Sequence, residues 1–161
     1  MTTDLTADEH DRLLRAVERL TQMLTETGLP RMAARVFAFV LADDADRYTA
    51  AQLAEGLRVS PAAISGAVRY LVDIGLLFKD REPGTRADLY GVYDDDVWGT
   101  IMSARIPAMD RWVDALDDAV SEVGSARRGG QRLLETREFY TFMRRETAAM
   151  MERWKEHRRA L

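Results

Sequence analysis

Few residues in this chain have types and spacing that could support catalysis or metal binding. The only two histidines, His10 and His157, lie near opposite ends of the sequence, and there is no cysteine. A zinc site would therefore need carboxylates together with two distant histidines. Two acidic groups are more typical of solvated helix surfaces than of a hard-cation site: Asp94–Asp96 and Asp114, Asp117 and Asp118. We expect no catalytic residues, no metal, no cofactor and no enzyme.

A different chemistry is indicated by the stretch from Ser60 to Ile74, SPAAISGAVRYLVDI. Serine followed by proline marks a helix start, and apolar residues then recur at helical spacing. In a helix-turn-helix, the N-terminal residues of the second helix meet base edges in the major groove. The side chains predicted to face DNA here are mostly small: Ser60, Ala62, Ala63, Ser65, Gly66 and Arg69.

Each of these residue types has a plausible contact with DNA. Ser65 can hydrogen-bond either class of base edge, and Ala62 or Ala63 can touch a thymine methyl group. Arg69 lies one turn further on and is placed for a phosphate or a guanine. Ser60 can cap the helix while the N–H groups of its first turn meet a phosphate. Small side chains also allow the helix to enter the groove deeply.

Basic side chains follow this helix in a predicted β-hairpin. The strand-like runs LLFKDR and DLYGVY flank EPGTRA, whose Pro-Gly pair predicts the turn. We expect Arg81 and Arg86, flanked by Lys79, to hold phosphates or the minor groove. Thr49, three residues before Gln52, predicts a capping box and is a further candidate phosphate contact.

The elements that must position these residues are mostly helices. Apolar spacing predicts one helix up to about Thr27, a second after Pro30, and short helices over Ala50–Gly56 and from Ser60 to the stop at Gly75. The predicted fold class is mainly α with a small β-hairpin wing, a winged helix-turn-helix flanked by long dimerisation helices. We assign residues 1–27 to an N-terminal dimerisation helix, 28–93 to the DNA-binding domain and 94–161 to a C-terminal helical dimerisation region.

The C-terminal region carries two long apolar stripes. One runs from Met102 to Val123 in steps of three and four, with a kink or break expected at Pro107. Gly124–Gly130 reads as a linker, and a second stripe follows it at heptad spacing. Broad apolar faces of this kind, here and on the first helix, favour a two-fold interface. The predicted dimer-interface residues are Leu13, Val17, Leu20, Leu133, Tyr140, Met143, Met150 and Trp154.

Three segments resemble the MarR-type winged-helix transcriptional regulators, and most closely their GbsR branch: GLPRMAARVFAFVL, YTAAQLAEGLRVSPAAISGAVRYLVDIGLL and EPGTRADLYGV. The resemblance covers about residues 28–93 and implies a homodimer that straddles a pseudo-palindromic operator on double-stranded DNA. It also implies release by a small-molecule effector bound between the two layers. Five residues could line that pocket, or could simply be core: Phe37, Trp98, Met102, Met109 and Trp112. An aromatic cage for a cationic effector would suit the GbsR branch.

Bulk composition leaves this interpretation open. The net charge of −4 is segregated, since residues 94–124 carry eight acidic and two basic groups and residues 125–161 carry five and ten. DNA binding needs local positive potential, so overall acidity predicts only weak non-specific affinity. No apolar run is long enough to span a membrane, and the acidic N-terminus is unlike a signal peptide, so we expect no membrane partner and a cytoplasmic location. The alternative is a winged helix that binds a protein and not DNA.

Overall fold

A computed structural model describes residues 6–81, 84, 87–93 and 96–161 of the chain. Within these residues there are seven helices and three strands: α1 (Ala7–Glu26), α2 (Arg31–Ala42), β1 (Tyr48–Thr49), α3 (Ala50–Gly56), α4 (Pro61–Asp73), β2 (Phe78–Arg81), β3 (Asp88–Gly91), α5 (Val97–Ser103), α6 (Ile106–Val123) and α7 (Arg128–Arg158). They form two units, Met1–Asp95 and Asp96–Leu161. The predicted mainly helical fold with a small wing is confirmed.

Local signals set the helix ends in the first unit. Thr6 caps α1 through a capping box with Glu9, and Gly28 follows the helix with φ +99°. Helix α2 is apolar on most sides and lies at the centre, packed against α1 and α4. The core of this unit includes Phe37, Leu53, Leu57, Ile64 and Leu71, all fully buried. One side of α4 packs against this core, and its opposite side faces solvent.

The sheet has three strands in the order β1-β3-β2, all antiparallel, where the sequence predicted only two. The additional strand β1 pairs Tyr48 with Tyr90 and Thr49 with Leu89. Tyr48 is buried, meets the ring of Phe39 edge-on and donates its hydroxyl hydrogen to Asp43 at 2.5 Å. A two-residue strand gives no alternating pattern, and therefore the sequence could not show it.

The second unit is a helical hairpin with a short helix attached. Asp117 pairs with Arg137 and Asp110 with Arg144, so residue numbers rise along α6 as they fall along α7, and the two helices are antiparallel. The break predicted near Pro107 is confirmed, because α5 ends at Ser103 and α6 begins at Ile106 with the proline in its first turn. Between α6 and α7, Trp112 stacks on Tyr140 with ring centroids 5.1 Å apart.

The linker predicted at Gly124–Gly130 is wrong in its second half, because α7 already begins at Arg128. Gly124 makes the turn with φ +79°. Gly130 is buried, and a Cβ there would collide with the carbonyl oxygen of Gly124. This glycine therefore permits a close turn between two helices and is not a sign of an extended linker. Among the described residues, no helix has the length and apolar character needed to cross a bilayer.

Candidate nucleic-acid interface

The helix-turn-helix consists of α3 and α4, joined by Leu57–Ser60. The predicted capping box at the start of α3 is confirmed: the Gln52 N–H donates to Thr49 Oγ1 at 3.2 Å, and the Thr49 N–H donates to Gln52 Oε1 at 2.7 Å. The Thr49 hydroxyl is thus engaged in the cap. A phosphate contact by this hydroxyl, as the sequence suggested, would compete with the capping hydrogen bonds.

The turn between the helices is under backbone strain at Arg58. This residue has φ +54°, in the left-handed region that side chains other than glycine rarely adopt. Its guanidinium pairs with Asp11 of α1 at 2.9 Å, so α1 is tied to the turn that leads into α4. Leu57, just before, is buried and anchors the turn in the core.

Helix α4 presents one face to the core and the other to solvent. Ile64, Val68 and Leu71 are buried, as predicted. The opposite face carries the predicted DNA-facing residues, of which all but the half-buried Ala63 are exposed: Ser60, Ala62, Ala63, Ser65, Gly66 and Arg69. A Cβ added at Gly66 would meet no atom within 4 Å. The face is therefore smooth as well as accessible.

One prediction about this helix is wrong. Ser60 occupies the N-cap position, but its side chain makes no capping hydrogen bond. Pro61 follows at the first helical position and has no N–H to satisfy, and the Ala63 N–H reaches the Ser60 carbonyl at 3.0 Å. The Ser60 hydroxyl is therefore not committed to a helix cap and stands exposed at the leading end of α4.

The wing strands carry charged side chains on both faces. The register pairs Lys79 with Tyr90 and Arg81 with Asp88, so these four residues share one face of the sheet. On this face Lys79 pairs with Asp88 at 2.8 Å. Arg81 is exposed, and Arg86 lies outside the described residues.

On the other face, Arg47 pairs with Asp80 at 2.7 Å and covers the ring of Phe78. Asp80 also accepts a hydrogen bond from the Arg81 N–H at 2.8 Å.

A cleft of about 340 Å³ lies between α4 and the wing. Ser65, Arg69 and Asp73 line it from the helix, and Lys79 and Asp88 line it from the strands. Two predicted DNA-contact residues therefore share a cleft with an ion pair that sequence reasoning missed. The charged residues were visible in the sequence of both strands, but only the strand register shows that Lys79 and Asp88 meet. The hydrogen bond to Asp88 raises the pKa of Lys79 above its usual value.

The five residues suggested for an effector pocket lie in both units. Phe37 is entirely buried in the core of the first unit, which fits the alternative that it is simply core. The other four lie in the second unit, where Trp98 and Trp112 are about half exposed and Met102 and Met109 are half-buried. A cavity of about 380 Å³ in this unit is lined by other residues: Asp96, Gly99, Thr100, Ser103, Ala104, Met151 and Lys155.

In that cavity, Asp96 caps α5 by accepting from the Gly99 N–H at 2.9 Å and also accepts from the Trp154 indole at 2.8 Å. The indole hydrogen bond is the main reason that the pKa of Asp96 lies below its usual range. Asp94 and Asp95 lie outside the described residues. In the part of the chain that the structure describes, no three histidine or carboxylate side chains converge as a metal site would require.

Several predicted dimer-interface residues make contacts within their own unit. Val17 is fully buried against its own chain, Tyr140 stacks on α6, and the Trp154 indole is bonded to Asp96. Leu20 and Met150 remain substantially exposed, and Leu13, Leu133 and Met143 are half-buried. Other large apolar side chains, not predicted to lie in the interface, are at least half exposed, among them Met23, Phe139 and Phe142.

One solved structure has a fold similar to that of this chain. A crystal structure described as that of a transcriptional regulator is 23% identical, with a TM-score of 0.75 over 90% of this chain and 99% of that chain. A structure of a Lactococcus lactis ZitR double mutant is 16% identical over 71% of this chain and 72% of its own, with a TM-score of only 0.33. No curated protein matches the sequence.

Two family models match separate parts of the chain. Residues 27–87 match the MarR family, and residues 96–157 match a model described as an MmpR5-like MarR family transcriptional regulator. The first match contains α2, the helix-turn-helix and β2, and the second contains α5, α6 and nearly all of α7. Two segments of the chain are therefore similar to the MarR family of transcriptional regulators, and the fold is a winged helix-turn-helix.

Proposed function

We propose that this chain acts as a homodimeric regulator that reads a pseudo-palindromic operator, with α4 in the major groove and the wing on phosphates or the minor groove. The observation that carries the proposal is the exposed face of α4, held from behind by buried Ile64, Val68 and Leu71. Nothing in the core requires Ser65, Gly66 or Arg69 on the opposite side. Their place on a rigid helix next to a wing supports contact with DNA.

The chemistry of this face favours docking by shape. Ser60 and Ser65 offer hydroxyl groups, Ala62 offers a methyl group, and Arg69 is the one long polar side chain on the face. The N–H groups of the first turn of α4 and the positive end of its dipole add a site for a phosphate. Base readout per half-site should therefore be modest, and DNA shape and the dimer should supply the remaining specificity.

The exposed apolar side chains support the dimer. In the first unit they lie on α1 at Leu20 and Met23, and in the second unit on α7 at Phe139, Phe142 and Met150. Exposed large apolar side chains on long helices are typical of interaction surfaces. Phe142→Ser should shift the molar mass measured by light scattering towards that of a monomer. Thr136→Ala, at an exposed position on the same helix, is the matched control and should leave the dimer intact.

The experiment that tests DNA binding is a fluorescence-anisotropy titration of the chain's own upstream DNA over a salt series. Arg69→Ala should weaken binding to every sequence and reduce the slope of log K against log salt by about one if it contacts a phosphate. Arg86→Ala should do the same, on the sequence argument alone. Arg132→Ala removes an exposed arginine of α7 and is the charge-matched control. Equal losses of DNA affinity in the test and control variants would show that only the net charge of the chain matters.

The alternative function, a winged helix that binds only proteins, is separated by the same titration. Absence of binding to upstream DNA at low salt would support it. Release by a small molecule and membership of the GbsR branch are separate proposals, and both rest on the resemblance of residues 28–93. They predict that a cationic metabolite raises the melting temperature and at the same time lowers DNA affinity. A metabolite that stabilises the chain without changing its DNA affinity would not be an effector.

A further inference from the structure

The cleft between α4 and the wing contains cations and carboxylates in equal number. Arg69 and Lys79 contribute the positive charges, and Asp73 and Asp88 contribute the negative ones. When a helix lies in the major groove and a wing on the adjacent minor groove, the phosphates between the two grooves pass over the cleft that separates them. A DNA-facing cleft would be expected to carry excess positive charge, so the two carboxylates require an explanation.

Lys79 and Asp88 form a defined pair in this cleft. Their charged atoms lie 2.8 Å apart, and both side chains are partly exposed, at 48% and 33%. A phosphate that approaches the Lys79 ammonium therefore competes with the Asp88 carboxylate for its charge and its hydrogen bonds. On the helix side of the cleft, Ser65 and Arg69 offer a hydroxyl group and a guanidinium.

We propose that this cleft binds one DNA phosphate. In the absence of DNA, the Asp88 carboxylate pairs with the Lys79 ammonium and so competes with that phosphate. This inference rests on the proposed DNA-binding function. It assigns Lys79 as a DNA-contacting residue and Asp88 as a residue that lowers affinity. The exchange of one anion for another at Lys79 also explains how a regulator can keep a basic wing and still bind weakly to non-specific DNA.

The exchange has a measurable consequence for salt dependence. A cation that neutralises a phosphate contributes about 0.9 to the slope of log K against log salt, because a counterion is released from DNA. When Lys79 leaves Asp88, the uncovered carboxylate attracts a cation from solution, which offsets that release. The contribution of Lys79 to the slope should therefore be small in the wild type and close to one when Asp88 has no charge.

A purely stabilising role for the Lys79–Asp88 pair predicts a different result. Opposite charges on neighbouring strands stabilise a sheet, and the pair could serve only that purpose. Asp88→Asn would then lower the melting temperature of the chain and leave the DNA affinity of the folded fraction unchanged. The two hypotheses therefore predict different DNA affinities and different salt slopes for Asp88→Asn. Both quantities can be measured at a temperature where every variant is folded.

The test is a double-mutant cycle on residues 1–161 with Lys79→Gln, Asp88→Asn and the double variant. We expect Asp88→Asn to bind upstream DNA about 3- to 10-fold more tightly at low salt and to steepen the slope by about one. Lys79→Gln should change the slope little in the wild type and by about one in the Asp88→Asn background. Asp8→Asn is the control, because it removes a carboxylate that pairs with Arg12 at 3.1 Å on α1. Asp88→Ser provides a second variant if the asparagine variant folds poorly.

Each outcome can be assigned. Unchanged affinity in both Asp88 variants, or equal gains for Asp88→Asn and the Asp8→Asn control, would overturn the inference while leaving DNA binding in place. A slope that falls by about one for Lys79→Gln in the wild type would also overturn it, because Lys79 would then not be occupied by Asp88. Absence of DNA binding by the wild type and by both Asp88 variants at the lowest salt would remove the proposed function itself.

Discussion

Replacing Gly66 by alanine should change the stability and the DNA affinity of this chain in opposite directions. Gly66 lies inside α4, where alanine is more favourable than glycine by about 0.8–1 kcal/mol. The added Cβ meets no atom within 4 Å, so no clash offsets this gain. The corresponding rise in melting temperature is about 4–8 °C for a unit of roughly this size. Circular dichroism with urea and thermal unfolding would measure both quantities.

The same methyl group should weaken binding to DNA. If the exposed face of α4 is seated in the major groove, a Cβ at residue 66 intrudes on a packed surface, and overpacking costs about 1–3 kcal/mol. This corresponds to a loss of roughly 5- to 150-fold in affinity, and Gly66→Leu should lose more than Gly66→Ala. Gly129→Ala in α7 is the control, since its Cβ would also meet open space, and it should leave affinity unchanged. A stabilised Gly66→Ala variant with wild-type affinity would refute the placement of this face against DNA.

Three further substitutions test the packing that holds the two units in shape. Gly56→Ala would place a Cβ 2.5 Å from the Phe39 ring and should lower the free energy of unfolding by about 1–3 kcal/mol, measured in urea; no loss would show that the ring moves freely. Arg58→Gly should be more stable than Arg58→Ala by about 1 kcal/mol, because both lose the ion pair to α1 and only the alanine keeps the strained φ of +54°; equal stability would contradict this. Trp154→Phe removes the donor to Asp96 and should cost about 1 kcal/mol at neutral pH. Because this hydrogen bond holds the pKa of Asp96 below its usual value, the stabilisation is present above about pH 4 and lost as pH falls through the folded pKa. The two stability curves should therefore converge in acid.

The parts of the fold that the sequence predicted are those governed by local signals. A serine-proline start, apolar residues at helical spacing and a glycine with φ +73° at residue 75 define α4 without reference to the rest of the chain. The capping box at Thr49 is equally local. These signals sufficed to place the candidate DNA-facing residues on one side of one helix.

The parts that escaped prediction depend on contacts between distant residues. Strand β1 exists because Tyr48 pairs with Tyr90 and its ring packs on Phe39, neither of which leaves a pattern near residue 48. The pairing of Lys79 with Asp88 needs the hairpin register, which composition cannot supply. The ion pair in the cleft between α4 and the wing could therefore not be predicted from the sequence, although the sequence contains all of the residues that line the cleft.

Helix α7 shows why heptad spacing alone could not identify an interface. The stripe that contains Tyr140, Thr147 and Trp154 packs within the second unit: Tyr140 stacks on α6, Thr147 is buried and Trp154 bonds to Asp96. A second stripe, which includes Phe139 and Phe142, is offset around the helix and stays at least half exposed. A seven-residue repeat indicates that a face is buried but does not indicate by what. A helix in a small unit must first cover one face with its own chain, so the face left over, and not the one with the clearest repeat, is the better candidate for a second subunit.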